Sequence, residues 1–252
     1  MSSLFDLSGT VAVVTGANTG LGQGIAIALA QAGASVSLVG RSEPDETIEK
    51  IRAMGGKSCS VRADLSELSA IDGILDQTRK SLGGMDILVN NAGIIQRNEA
   101  LDFTVEQWDS VMNVNLRTLF FLSQAFAKSC VDEGQGGKII NIASMLSYQG
   151  GIRVPSYTAS KSGVMGLTRA LANEWAGKGI NVNAIAPGYF ATNNTAALQA
   201  DAKRNAEILG RIPAGRWGEP AELGGAAVFL ASSASDYVHG TTLAVDGGWL
   251  SR

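Results

Sequence analysis

The chain has 252 residues, of which 45% are apolar and 17% charged, and its net charge is −3. This composition fills a globular core and excludes a disordered chain, and the scattered charge of both signs leaves no electrostatic footprint for nucleic acid. Two cysteines, Cys59 and Cys130, exclude a disulfide scaffold and read as reduced intracellular thiols. The start, Met1-Ser2-Ser3-Leu4-Phe5-Asp6, has neither a basic segment nor an apolar leader, and no apolar run reaches membrane length. The expectation is a soluble, cytoplasmic protein.

In chain order, a β-branched strand at 11–15 runs into Thr15-Gly16-Ala17-Asn18-Thr19-Gly20-Leu21-Gly22 and then into a helical pattern at 21–32. Glycines at a strand-to-helix turn allow close backbone approach to a pyrophosphate, and the helix start supplies free N–H donors. The first two glycines are four apart, a departure from G-x-G-x-x-G, so a bare tight turn competes with a nucleotide site; the position after the first strand favours the nucleotide. A second strand at 35–39 ends at Gly40-Arg41-Ser42, with no carboxylate before Glu43. An acid there bonds a ribose and a base accommodates a 2′-phosphate, so Arg41 argues for NADP. The glycine loop carries no Lys or Arg to assist, and stacking on adenine or plain solvation of Arg41 fits equally.

A helix at 43–54 and a strand at 58–63 precede Asp64-Leu65. A helix at 67–82 and a strand at 87–90 precede Asn91-Ala92-Gly93. A long helix at 105–131 carries Asn115, and a strand at 138–143 ends at Ser144. A helix at 156–177 carries Tyr157 and Lys161, and a strand at 181–186 leads into Pro187-Gly188. The segment 188–217 breaks the rhythm and is expected to be a substrate lid. A helix at 220–232 and a strand at 242–245 complete the chain. Apolar strands alternating with helices predict one α/β domain over 1–252, a doubly wound Rossmann sheet of about seven parallel strands covered on both faces. Its ligands belong at the carboxyl ends of the strands.

Tyr157 and Lys161 stand at i, i+4 and share a helix face. A phenol titrating near ~10 beside an ammonium near ~10.4 makes an acid/base device, because the positive charge favours the phenolate and lowers its pKa. His239 is the only histidine and has no Cys/His cluster around it, so no metal site is expected and the residue reads as structural.

The loop at 15–22, Asp64, Asn90-Asn91-Ala92-Gly93, Asn115, Ser144, Tyr157, Lys161 and Pro187-Gly188, in this order at strand ends, resemble the short-chain dehydrogenase/reductase family over essentially the whole chain. The resemblance implies that Tyr157 exchanges a proton with the substrate oxygen as hydride moves to or from the nicotinamide. By the same resemblance Lys161 depresses the Tyr157 pKa and bonds the nicotinamide ribose, Ser144 bonds the substrate oxygen, and Asn115 holds a relay water. It further implies a cofactor groove of Gly16, Asn18, Thr19, Gly20, Leu21, Gly22, Arg41, Asp64 (toward the adenine amine), Leu65, Asn91, Ala92, Gly93, Tyr157, Lys161, Pro187, Gly188 and Thr192. Singly, each residue has a plainer reading: Asn115 as a buried amide bridging backbone, Ser144 as a helix cap, Asp64 as the N-cap of a helix starting near Ser66.

Within the family, 144–155, 188–195, 211–218 and 246–250 look like the group acting on keto-deoxy sugar acids such as 2-dehydro-3-deoxy-D-gluconate or 2-deoxy-D-gluconate, formed in uronate and pectin breakdown. That group implies NAD(H), with NADP(H) admitted by Arg41. Gln149, Asn193 and Asn194 are placed to bond hydroxyls. Arg153 is the expected carboxylate clamp, with Arg97 and Arg216 as alternatives and surface salt bridges as the plainer role for each. Gluconate 5-dehydrogenase, 3-oxoacyl-carrier-protein reductase and a non-catalytic dinucleotide-binding regulator are the competing readings. The family also implies a homotetramer, built on the small residues Ser162, Gly163, Gly166 and Ala170 and on the C-terminal segment around Trp249.

Overall fold

The computed structural model describes residues 4–252; Met1-Ser2-Ser3, part of the start read above, lies outside them. Seven strands form one sheet: β1 (Val11–Thr15), β2 (Ser35–Gly40), β3 (Ser58–Arg62), β4 (Ile87–Asn90), β5 (Gly137–Ile142), β6 (Ile180–Pro187) and β7 (Thr242–Val245). Their order is β3-β2-β1-β4-β5-β6-β7, with every pair parallel. The direction of winding reverses between β1 and β4, which opens a crevice at the carboxyl ends of these strands.

The period-two alternation of strand side chains divides the core into two layers. Ala12 and Val14 of β1, with Val36, Leu38, Val89 and Ile140, pack on one face. The helices there are α1 (Gly20–Gln31), α2 (Asp45–Ala53) and α9 (Gly224–Ala231), which contribute Ile25, Leu29, Ile51 and Leu230. Val13, Val39, Leu88, Ile139 and Val182 point to the other face. They meet Ile74 of α3 (Ala70–Leu82), Phe126 of α5 (Leu119–Asp132) and Leu171 of α6 (Pro155–Trp175). Burial on both faces is why these strands read as continuous apolar runs.

Two elements differ from the sequence reading. The helix expected at 105–131 is α4 (Val105–Met112) joined to α5 through a π-helical turn at Asn113–Thr118. The side-chain amide of Asn115 supplies the reason: it donates to the Ile94 carbonyl at 2.9 Å and accepts the Ile94 N–H at 2.8 Å, which draws that turn toward the strand end. The 188–217 excursion, read without helices of its own, contains two. It folds α7 (Ala196–Ala200) and α8 (Ala202–Arg211), and α8 is capped by Asp201, whose carboxylate accepts the Arg204 N–H at 3.0 Å.

Candidate active site

A cleft of about 960 Å³ follows the carboxyl edge of the sheet from the glycine loop to α8. Its size stands at the top of the usual range for ligand pockets, ~300–1,000 Å³. At one end β1 delivers the glycine loop to the start of α1. A Cβ on Gly22 would overlap the Gly16 carbonyl oxygen and the Asn91 amide, so only glycine lets this loop fold back on itself. Asn91 fixes the loop from the β4 side by donating to the Thr15 carbonyl at 2.9 Å. The free N–H groups of α1 therefore face open space lined by Gly16, Asn18, Thr19 and Gly20, a cradle suited to a pyrophosphate.

Arg41 lines the next part of the cleft, beyond β2. Asn18 donates to the Ser42 hydroxyl at 2.9 Å and to the Ser42 carbonyl, and a side chain on Gly40 would collide with Asn18. Asp64 accepts from the Ser66 N–H and hydroxyl, each at 2.9 Å, and these bonds with the nearby Arg41 charge hold its carboxyl below the ordinary range. The expected capping role of Asp64 is therefore present, but it serves the turn at Ser66, because α3 begins only at Ala70. Leu65, Ala92, Gly93, Pro187, Gly188 and Thr192 line the same groove.

At the centre, Ser144 follows β5 and Tyr157 opens α6. The Ser144 side chain lies beside the Tyr157 phenol and favours its phenolate, and the Ser144 oxygen accepts the Leu146 N–H at 3.1 Å. The helix-cap reading of Ser144 thus coexists with its contact to tyrosine. Lys161 is 4% exposed; its Nζ donates to the Ile142 carbonyl at 2.6 Å and stands 5.7 Å from the centre of the Tyr157 ring.

The expectation that Lys161 lowers the Tyr157 pKa is corrected. Burial pushes the phenol up, outweighing the Ser144 side chain and the Arg97 charge that favour the phenolate. Burial also brings the Lys161 ammonium down to about 8. Removing water penalises both charged forms, and the lysine is turned to a carbonyl. Because the folded-state Lys161 pKa is depressed, the unfolded chain binds the extra proton between about pH 8 and ~10.4, and stability rises with pH across that window. Relative to Lys161→Met, wild type should gain on the order of 3 kcal/mol from pH 7 to pH 10.5. Urea unfolding of both proteins at the two pH values checks this.

Asn115 is 1% exposed and its amide is spent on Ile94 and on the Ser160 hydroxyl at 3.2 Å, so its side chain bridges backbone as the plainer reading held. Arg153 is also corrected. It has φ 65°, pairs with Glu99 at 3.0 Å and lies outside the cleft lining, because the left-handed backbone aims it at the 98–99 loop. Arg216 is bound bidentately by Glu222, again away from the central cleft. Of the three arginines considered, Arg97 alone lines it, together with Gln149, Asn193 and Asn194.

Residues absent from the sequence reading of the site are Arg204, Glu207, Ile208 and Arg211. Their spacing, i, i+3, i+4, i+7, is one helix face, a signal present in the sequence that only the packing of α8 aims at the cleft. Trp249, expected in a subunit contact, is 5% exposed and packs edge-on against Tyr189 with ring centres 4.8 Å apart. His239 meets the Asn181 amide at 3.2 Å beside β6, and no cluster able to hold a metal exists among the described residues. No helix among them is long and apolar enough to cross a membrane.

A doubly wound sheet with a glycine cradle at its switch point and a Ser-Tyr-Lys set at the next strand ends defines a nicotinamide-dependent dehydrogenase. The chain belongs to the short-chain dehydrogenase/reductase family, and a family model described as enoyl-(acyl carrier protein) reductase matches residues 16–250. It is 63% identical over 250 residues to 2-dehydro-3-deoxy-D-gluconate 5-dehydrogenase of Escherichia coli K12, covering 99% of each chain. It is 42% identical over 248 residues to gluconate 5-dehydrogenase of Gluconobacter oxydans, covering 97% of this chain and 96% of that one. Among solved structures, one named as a 2-deoxy-D-gluconate 3-dehydrogenase, from Agrobacterium tumefaciens with bound NADP, superposes with a TM-score of 0.95 at 59% identity. That match covers 99% of this chain and 100% of the other.

Proposed function

We propose that the protein interconverts a secondary alcohol and a ketone on a keto-deoxy sugar acid, 2-dehydro-3-deoxy-D-gluconate or 2-deoxy-D-gluconate, in uronate breakdown. The observation that carries this is the cleft itself. Ser144 and Tyr157 stand beside each other in it, and Gln149, Asn193, Asn194, Arg97 and Arg211 line it among apolar side chains, polar groups suited to the hydroxyls and carboxylate of a sugar acid. The intact acid/base set disfavours a non-catalytic regulator.

The bound nicotinamide supplies the hydride carrier, and the remaining work falls to the chain. Ser144 bonds the reacting oxygen and holds it against the Tyr157 phenol, which gives its proton to a ketone or takes one from an alcohol. Arg97 favours negative charge at that oxygen. Lys161, fixed on the Ile142 carbonyl, holds a proton that titrates near 8 beneath the ring and is placed for the nicotinamide ribose. Asn115 is a positioning residue that shapes the π turn under Ile94. Residues 188–217 act as the lid, with Gln149 and Asn193 meeting substrate hydroxyls.

Both cofactors fit the cradle. The family resemblance favours NAD(H); the end of β2 favours NADP(H), because Arg41 and Ser42 stand where a carboxylate would repel a 2′-phosphate, and the 59% identical Agrobacterium structure carries NADP. Arg41→Ala should raise the KM for NADP about tenfold or more while moving that for NAD less than twofold. Initial rates on 2-dehydro-3-deoxy-D-gluconate with each cofactor test both points: a wild type inert with both would sink the substrate reading. We further assign the protein to the cytoplasm as a homotetramer. Exposed Leu101, Val105, Trp108 and Phe121 support an assembly through α4 and α5. Gly163, by contrast, is spent within the chain, where a side chain would strike Leu116.

A further inference from the structure

We infer that Arg211, stacked on Trp249 in the wall of the cleft, recognises the carboxylate of the substrate; the inference rests on the sugar-acid reading above. Arg211 is the last residue of α8, and Ile208, one turn earlier and 1% exposed, anchors that helix end in a cluster with Met145, Ile212 and Trp249. The guanidinium carbon lies 4.2 Å from the centre of the Trp249 ring, and Nη2 donates to the Gln149 side-chain amide oxygen Oε1 at 3.0 Å. The indole N–H of Trp249 is buried with no partner, so the ring is held there as a flat stacking surface, at the cost of an unpaired donor. A guanidinium fixed by its face and one nitrogen keeps its other N–H groups in a set plane. That is the geometry a carboxylate meets with two bonds, and one a lysine does not offer.

The charge inventory of the cleft leads to the same residue. Arg41 faces Asp64, Arg204 is neutralised by Glu207 at 2.9 Å, and Lys161 is turned to the Ile142 carbonyl. Among the described arginines of the cleft, Arg97 and Arg211 have no ion pair and no neighbouring carboxylate, and the Arg97 charge already acts on Tyr157. Oxidation at C5 of a hexulosonate leaves the C1 carboxylate four carbon–carbon bonds of ~1.52 Å away, about 5 Å in an extended chain. The cation that attends the reacting oxygen is therefore poorly placed for the acid. Arg211 approaches from the lid and is tied through Gln149 to the loop that follows Ser144, so it is placed to read the far end of the substrate.

The test uses the enzyme loaded with NADPH and titrated calorimetrically with D-gluconate, an inert hexonate in that complex, and with D-gluconamide, its uncharged counterpart. KM for 2-dehydro-3-deoxy-D-gluconate is measured alongside. Arg211→Leu should weaken gluconate binding about 30- to 100-fold and raise KM similarly, while gluconamide binding moves less than threefold and NADPH binding is unchanged. Arg211→Lys, the variant to rely on if leucine disturbs the lid, should keep part of the preference for the acid, losing about tenfold. The inference is overturned if Arg211→Leu keeps the wild-type preference for acid over amide or loses both ligands equally, which would mark a packing role. It is equally overturned if wild type shows no such preference, or if Arg97→Ala alone abolishes it. Absence of turnover by wild type would count against the substrate reading only, since the binding comparison still decides Arg211.

Discussion

Tyr157→Phe is expected to lower kcat by about 10²–10⁴-fold in both directions while leaving dinucleotide affinity and thermal stability close to wild type. The ring keeps its packing above Lys161 and loses only the group that exchanges a proton. Because burial raises the phenol, Tyr157 carries its proton at neutral pH and is ready as an acid for ketone reduction. Alcohol oxidation needs the phenolate, so its rate should climb with pH on the alkaline side while reduction does not. Steady-state rates in both directions across pH check this, and a Tyr157→Phe enzyme that retained wild-type kcat would remove Tyr157 from the chemistry. Residual activity in the variant should have lost the alkaline rise.

Gly22→Ala is expected to weaken dinucleotide binding by tenfold to a hundredfold and to destabilise the fold by about 1–3 kcal/mol. Its Cβ would meet the Gly16 carbonyl, backbone that cannot swing aside as a side-chain tip can, and the Asn91 amide that ties the loop to β4. The comparison is Gly225→Ala in α9, where a Cβ meets nothing within 4 Å and helix propensity alone favours alanine by roughly 1 kcal/mol. Calorimetric titration with NADP and thermal unfolding of the two variants separate a steric effect on the cradle from a general cost of replacing glycine. Equal behaviour of the two would sink the cradle argument.

Both predictions concern residues legible before any coordinates, and the reason is local. The Tyr157–Lys161 spacing fixes a shared helix face. A glycine loop between a buried strand and a helix has few geometries, and alternating apolar strands and helices close into one parallel sheet with its crevice at a known end. The corrections concern what lies far apart in sequence. Arg153 looked close to Ser144 and Tyr157 along the chain, but a left-handed residue and Glu99 turn it away. The direction of the Tyr157 shift depends on how much water the surrounding elements remove and on where Lys161 finds its acceptor, neither of which is written in an i, i+4 pair.

The same division separates the two walls of the cleft. The cradle and the acid/base set are made by residues at strand ends, so by itself the sequence determined the family, the architecture and the centre of the site. The opposite wall, Arg211 on Trp249 beside Gln149, joins α8, the C-terminal turn and the loop after β5, segments 38 to 100 residues apart. Only the tertiary structure decided that wall, because a side chain's partner across such separations is set by how α8 packs onto the sheet and not by any period along the chain.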